Sequence, residues 1–211
     1  MYKTLTLAVL LLSTNLFSQE ELVKNLIDNI NIKYDYFKNV DINFNFKYEN
    51  INQNIIEENK GSITISEEKY LVQISNQRII NNGETQWVYL EDVNEVQIMN
   101  NDPDNNMLSP QKIFESYEDK YKFLYLGETN RNDTTFIKVD LFPKQSNPFR
   151  KIQISVVKFN NELNQIILFD KEGGTLSYMI KKIGINNSLS DATFKFKPEE
   201  HKNIEIIDLR L

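Results

Sequence analysis

The chain has 211 residues, 40% of them hydrophobic, which is enough apolar material for one packed domain. Its 24 basic and 30 acidic side chains give a net charge of −6, which argues against nucleic-acid binding because such binding depends on cations that neutralise phosphates. With no cysteine and one histidine, the sequence excludes disulfides, thiol nucleophiles and multi-histidine metal sites.

Residues 1–18 have the proportions of a secretory signal peptide. Lys3 precedes an apolar run from Leu5 to Leu12, and Ser18 is a small residue suited to cleavage. The run is shorter than the ~20 apolar residues that span a bilayer. We therefore expect export, removal of residues 1–18, and a single domain over residues 19–211. The alternative is a buried N-terminal helix or strand.

The first predicted element of this domain is an amphipathic helix from Glu20 to Lys33. Its apolar residues recur at steps of three and four, which places them on one stripe. They are Leu22, Val23, Leu26, Ile27 and Ile30. In residues 41–48 the period changes to two, which predicts a half-buried strand.

Short strand candidates follow at roughly ten-residue spacing, a pattern typical of a meandering antiparallel sheet. A predicted helix interrupts them, beginning at Ser109-Pro110 and ending near Asp119, with serine as the N-cap and proline in the first turn. The sequence therefore predicts an α+β fold, mainly antiparallel β, with about 11 strands. The further candidates are Gly61–Ser66, Lys69–Ser75, Gln77–Asn81, Gln86–Glu91, Glu95–Asn100, Tyr121–Leu126, Thr134–Phe142, Arg150–Phe159, Leu163–Asp170 and Gly174–Ile183.

No motif for catalysis, phosphate binding or metal binding is found in the sequence, so we expect no enzyme, no cofactor and no metal site. His201 lies in a polar stretch and is interpreted as a solvated surface side chain. Trp87 and Tyr89 lie on one face of a predicted strand, where core packing and ligand lining both remain open.

Two segments, taken in their order along the chain, resemble those of a known family. A Gly-led strand, Gly61-Ser-Ile-Thr-Ile, is followed by a hairpin that has an Asn82-Gly83 turn and the Trp87/Tyr89 pair. The ending, Phe194-Lys-Phe-Lys-Pro198, leads into Ile204-Glu-Ile-Ile-Asp208. Together with the first helix and the Ser-Pro helix, this set resembles the periplasmic outer-membrane lipoprotein carrier family, LolA, from Glu20 to Arg210.

The resemblance implies an open, unclosed β-barrel that is covered by an α-helical lid and encloses an apolar cavity for the acyl chains of lipoproteins. It also implies a periplasmic location and, as partners, acylated lipoproteins, an inner-membrane ABC transporter of the LolCDE type and, in many members, an outer-membrane receptor. Nothing in the sequence suggests more than a monomer. The expected lining residues are Phe44, Phe46, Ile63, Ile65, Trp87, Tyr89 and Ile98 from the sheet, with Ile113 and Phe114 from the lid; about half of them could belong to an ordinary core.

One departure from the family pattern concerns the lid. Family members commonly have an Arg-Pro pair after the Gly-led strand, and that arginine ties the lid to the barrel. Ser66-Glu67-Glu68-Lys69 stands there in this chain, and lysine lacks the bidentate fork of arginine.

Three function classes remain open. The favoured one is a lipoprotein carrier that shuttles acylated cargo from the inner to the outer membrane. The second is a non-catalytic module on the same fold that senses lipids or lipoproteins. The third is a hydrolase that uses two carboxylates, although the sequence selects no such pair.

Overall fold

The computed structural model describes residues 19–33, 39–101, 117–185 and 188–210. Helix α1 comprises residues 19–33, and the short helix α2 comprises Tyr117–Lys120. Within the described ranges, 3₁₀ turns cover Ile51–Gln53, Asp191–Phe194 and Pro198–Glu200. The strands are β1 (Asn39–Asn50), β2 (Ile55–Ser66), β3 (Lys69–Ile74), β4 (Gln77–Asn81), β5 (Thr85–Leu90), β6 (Glu95–Asn100), β7 (Tyr121–Arg131), β8 (Thr134–Pro143), β9 (Phe149–Val157), β10 (Glu162–Asp170), β11 (Gly174–Ile185) and β12 (Glu205–Asp208).

All twelve strands form one sheet in the order β12-β6-β5-β4-β3-β2-β1-β11-β10-β9-β8-β7. Two antiparallel meanders, β1–β6 and β7–β11, are joined where β1 pairs with β11. The last strand, β12, adds to β6 in parallel. Strands β7 and β12 lie at opposite ends of this order, so the described sheet is unclosed. The prediction of a mainly antiparallel, open sheet is confirmed.

The first hairpin is longer than predicted, because β2 begins at Ile55 and not at Gly61. Residues 55–60 are mostly polar and carry no clear alternation, but they continue the pairing of β2 with β1. The turn that joins these strands depends on two asparagines. The Asn50 side chain accepts a hydrogen bond from the Gln53 N–H at 3.2 Å, and Asn54 adopts the left-handed conformation, with φ of 54°.

The predicted hairpin turn at Asn81-Asn82-Gly83 is confirmed. Gly83 has φ of 96°, a value that favours glycine, and the Asn82 side chain accepts a hydrogen bond from the Thr85 N–H at 2.8 Å. Of the predicted helix from Ser109 to Asp119, only the end lies in the described ranges, as part of α2. The predicted signal peptide lies outside them. No helix in those ranges is both long and apolar enough to cross a membrane.

Helix α1 packs its apolar stripe against the second meander. Val23, Leu26, Ile27 and Ile30 are buried, whereas Leu22 is exposed at the margin of the stripe. These four side chains share a core cluster with buried residues of β8, β9 and β10. At about 1.5–3 kcal/mol for each fully buried aliphatic side chain, this contact contributes roughly 6–12 kcal/mol before entropy is subtracted.

Candidate ligand-binding site

One face of the sheet, which we call the inner face, is apolar over most of its width. Directly paired residues of neighbouring strands share a face, and Val40↔Ile65, Ile42↔Ile63 and Phe44↔Gly61 are such pairs. The face continues through Tyr70 and Val72 of β3, which pair with Ile65 and Ile63. All these side chains except Gly61 belong to one buried cluster.

Strand β11 joins this cluster to the one beneath α1. Tyr178, Ile180 and Ile183 pack against both clusters, so the apolar inner face is continuous across the middle of the sheet. The Tyr178 ring lies 5.4 Å from the ring of Phe44 and 5.3 Å from that of Phe46, measured between centroids. Burial raises the pKa of the Tyr178 phenol to about 12.

A cavity of about 780 Å³ lies between the first turns of α1 and strand β7. This volume falls in the usual range for ligand sites, roughly 300–1,000 Å³. Its apolar wall includes Val23, Tyr121, Phe123 and Tyr125, and Leu124 reaches it from the other face of β7. Its charged rim consists of Glu20, Glu21, Lys24, Glu118, Lys122 and Lys144.

Polar contacts with described residues of other elements fasten α1 along its length, and three of them are clear. Lys24 pairs with Glu118 at 2.5 Å between Nζ and Oε1, and this contact lowers the pKa of Glu118. The Tyr117 hydroxyl lies 3.1 Å from Asp28, and burial together with this carboxylate raises the pKa of Tyr117.

The third contact lies at the far end of the helix. There, Lys33 Nζ donates to Glu162 of β10 at 3.1 Å and to the Asn160 carbonyl at 3.2 Å. Helix α1 is thus held over the inner face without the family arginine.

The structure divides the seven expected sheet residues between two faces. Phe44, Phe46, Ile63 and Ile65 lie on the inner face. Following the strand pairs from Ile65 through Tyr70, Asn81 and Gln86 to Met99 gives the inner positions of β3 to β6. Trp87, Tyr89 and Ile98 occupy the alternate positions and therefore lie on the outer face, in a separate cluster.

The C-terminal segment covers that outer cluster. Phe196 is buried in it, and Ile204 packs against its margin. The ring of His201 stacks on Phe196 at 4.9 Å between centroids with an interplanar angle of 13°, and lies 4.5 Å from Tyr89. The interpretation of His201 as a solvated side chain is therefore wrong, because this imidazole is half-buried among aromatic rings.

Lys69, which takes the place of the family arginine, also lies away from α1. Its Nζ is 2.6 Å from Oδ1 of Asp191. Asp191 lies in the 3₁₀ turn that comes just before Phe196 in the chain. The hydrogen bond from Lys69 lowers the pKa of Asp191. Lys69 thus ties the C-terminal segment to the outer face of the sheet.

Two expected residues, Ile113 and Phe114, lie outside the described residues. Conversely, the sequence reading left out Tyr121, Phe123 and Tyr125, which line the cavity. Their alternation with Lys122 and Leu124 was a usable signal, since it places all three on one face of β7. Within the described ranges, no group of three or more histidine, aspartate and glutamate side chains is placed to hold a metal ion.

An unclosed antiparallel sheet with a helix fastened over its apolar face defines a LolA-like fold. The family model described as outer membrane lipoprotein carrier protein LolA matches residues 37–197. This chain therefore belongs to the LolA family. A comparison with curated proteins gives no significant match.

Many solved structures are similar to the chain. An uncharacterized conserved protein from Thermus thermophilus aligns with a TM-score of 0.57 and 14% identity, over 88% of this chain and 98% of that one. A LolA superfamily protein from Nitrosomonas europaea aligns with a TM-score of 0.42 and 13% identity, over 75% and 90%. A chain of the Pseudomonas aeruginosa MucA/MucB complex aligns with a TM-score of 0.45 and 9% identity, over 83% and 62%. Identities this low concern the fold alone.

Proposed function

We propose that this protein is a non-catalytic periplasmic carrier that binds the acyl chains of lipoproteins and shuttles them between the two membranes. The continuous apolar inner face, with a cavity beside α1, is the observation that supports this proposal. Its partners would be acylated lipoproteins, a LolCDE-type transporter and an outer-membrane receptor. Family membership supports the same function.

The energetics of acyl binding suit such a surface. Removing a chain of about 16 carbons from water yields on the order of 12 kcal/mol, at ~0.8 kcal/mol for each methylene. Part of this gain is offset by the entropy lost when the chain is ordered. Phe123 and Tyr125 would contact the chain at the cavity, and the half-buried Phe46 would extend the contact surface along the inner face, where Phe44, Ile63 and Ile65 form the buried part of the same apolar cluster.

A displacement assay tests acyl binding directly. The purified protein is loaded with a polarity-sensitive fluorescent lipid, and a triacylated lipopeptide is titrated against the same peptide without acyl chains. We expect displacement by the acylated form alone. Equal displacement by both peptides, or no uptake of the probe, would overturn the proposal.

Two matched variants locate the site. Phe123 and Trp87 are both half-buried aromatic residues, on the inner and the outer face respectively. Phe123→Ala removes a cavity wall and should weaken lipopeptide binding roughly 10- to 100-fold, as expected for losing about 1.5–3 kcal/mol of apolar contact. Trp87→Ala should leave binding unchanged. The opposite result would move the site to the outer face.

A shuttle must also take lipoproteins out of the membrane, so a second assay measures their release. Membranes that contain a labelled lipoprotein and the transporter are incubated with the protein, and label is then measured in the soluble fraction. Release of label supports a carrier. Tight lipopeptide binding without release would instead favour the sensing module.

A further inference from the structure

Strand β7 ends the sheet, and within the described sheet it pairs only with β8. In such a strand, alternate residues direct their backbone N–H and C=O groups away from the neighbouring strand. An edge of this kind is a ready template for one more strand. Proteins usually shield such edges with bulges, charges or a covering element.

The cavity beside α1 runs along this edge. Five consecutive residues of β7, from Tyr121 to Tyr125, line it, although neighbouring side chains of a strand point to opposite faces. A cavity that meets both faces of a strand must also meet the strand's edge. The opposite wall is formed by the first turns of α1, including Val23 and Lys24. The backbone groups of β7 that have no partner strand in the described sheet therefore face into the cavity.

Apolar side chains flank this edge on both faces of the sheet. On the outer face, Leu124 and Phe142 are 50% and 39% exposed, and Leu126, at the bulge that follows, is 45% exposed. On the inner face, Phe123 and Tyr125 are half-buried. A strand added to β7 would place alternate side chains against these two groups.

The pairing limits the length of such a strand. The register between β7 and β8 shifts after Tyr125, and Gly127 has φ of 108°. This bulge turns the remainder of β7 out of line. Residues 121–125 are thus the regular part of the edge, and they match an extended segment of about five residues, the length of a typical short strand.

We propose that the edge of β7 binds an extended peptide segment as an added strand, and that this segment is the stretch of cargo next to its acylated residue. The second part rests on the proposed function, since the acyl chain would occupy the same cavity. The carrier would thereby recognise the backbone of its cargo as well as its lipid. Because main-chain hydrogen bonds are independent of side chains, one edge could accept many cargo sequences.

Backbone methylation of the ligand tests strand addition. Three acylated pentapeptides are compared: one unmodified, one N-methylated at its odd amides and one at its even amides. In an added strand only one of the two sets faces β7. We expect one methylated peptide to bind at least ~10-fold more weakly than the unmodified peptide, as befits the loss of two or three hydrogen bonds, while the other binds nearly as well.

The outcomes separate the two proposals. Equal affinity of all three peptides would overturn strand addition while leaving acyl binding intact. Failure of all three to bind would overturn acyl binding together with it. A fatty-acid ester without peptide should bind at least ~10-fold more weakly than the unmodified lipopeptide, and equal affinity would also count against the edge.

Side-chain variants add a second measurement. Leu124→Ser should weaken binding of the unmodified lipopeptide about 5-fold, whereas Leu209→Ser serves as the matched control. Leu209 is similarly exposed, at 54% against 50% for Leu124, but follows β12 at the opposite end of the sheet. Amide hydrogen exchange should slow within residues 121–125 when the lipopeptide binds. A response to Leu209→Ser, or protection elsewhere alone, would place the peptide away from β7.

Discussion

Replacing Gly61 by alanine should destabilise the inner face in a measurable way. A Cβ atom at this position would lie 2.5 Å from Cε2 and 2.6 Å from Cζ of Phe44, and 2.9 Å from the Gln73 carbonyl oxygen. Van der Waals contact between carbon atoms needs about 3.5–4.0 Å, so the Phe44 ring must move by roughly an ångström. That ring packs against Tyr178 and is buried, which leaves it little freedom.

The magnitude follows from the overpacking. Inserting a methyl group into a filled site costs about 1–3 kcal/mol. For a chain of this size, 2 kcal/mol lowers Tm by roughly 4–8 °C. Gly184→Ala is the control, because a Cβ atom there meets nothing within 4 Å although the residue also lies in the sheet, in β11. Its Tm should stay the same or rise slightly.

Thermal and urea unfolding of five proteins provides the test: the wild type, Gly61→Ala, Phe44→Ala, the double variant and the Gly184→Ala control. If the clash with the ring causes the loss, Gly61→Ala costs less in the Phe44→Ala background, with a coupling energy of at least ~1 kcal/mol. A full cost in both backgrounds would refute the role of Phe44 and implicate the Gln73 carbonyl. Equal stability of Gly61→Ala and Gly184→Ala would refute the argument entirely.

Three further outcomes are expected. Ile27→Ala, at a fully buried position of α1, should lower the free energy of unfolding in urea by about 2–5 kcal/mol and raise binding of a hydrophobic dye. Leu22→Ala, at an exposed position of the same helix, is the control and should change little. Similar losses in both variants would refute the packing of α1. Burial raises the pKa of Tyr178 from 10.0 to about 12, so between these pH values the folded state keeps a proton that the unfolded chain releases. The contribution of Tyr178 to the free energy of unfolding is therefore complete below pH 10 and is lost between pH 10 and 12. The free energy of unfolding, measured by urea from pH 10 to 12, should fall less steeply in Tyr178→Phe than in the wild type. Identical curves for the two proteins would contradict the raised pKa of Tyr178. Lys69→Met removes an exposed pair with Asp191 and should leave the free energy of unfolding and lipopeptide binding nearly unchanged, because solvent screens such a pair; weaker binding would give Lys69 a role in the lid.

The sequence was sufficient to predict most strands and the way they follow one another. In residues 41–48, alternation alone indicates a strand with one buried face, because the side-chain period of a strand is two. The Asn82-Gly83 turn marks a hairpin because its backbone suits glycine and asparagine. The start of β2 was missed because residues 55–60 are held by pairing with β1 and not by burial.

The candidate site could be predicted only in part. Alternation shows that Trp87 and Tyr89 share a face of their strand, but it does not show which face of the sheet that is. The answer depends on the register of every hairpin between β2 and β5, and one step of register reverses it. The contacts that fasten α1 were also beyond sequence reasoning, since Tyr117 and Asp28 are 89 positions apart.

The pairing of β1 with β11 has a consequence for how the chain folds. Val40 pairs with Ile185, and Glu95 pairs with Glu205, so the first meander acquires its outer neighbours only after nearly the whole chain has been synthesised. Until then β1 and β6 both present unpaired edges, which attract other chains. A chain that ends before Gly174 would therefore leave the edges of both β1 and β6 unpaired. We therefore expect such a truncated chain to aggregate more readily than the 211-residue chain.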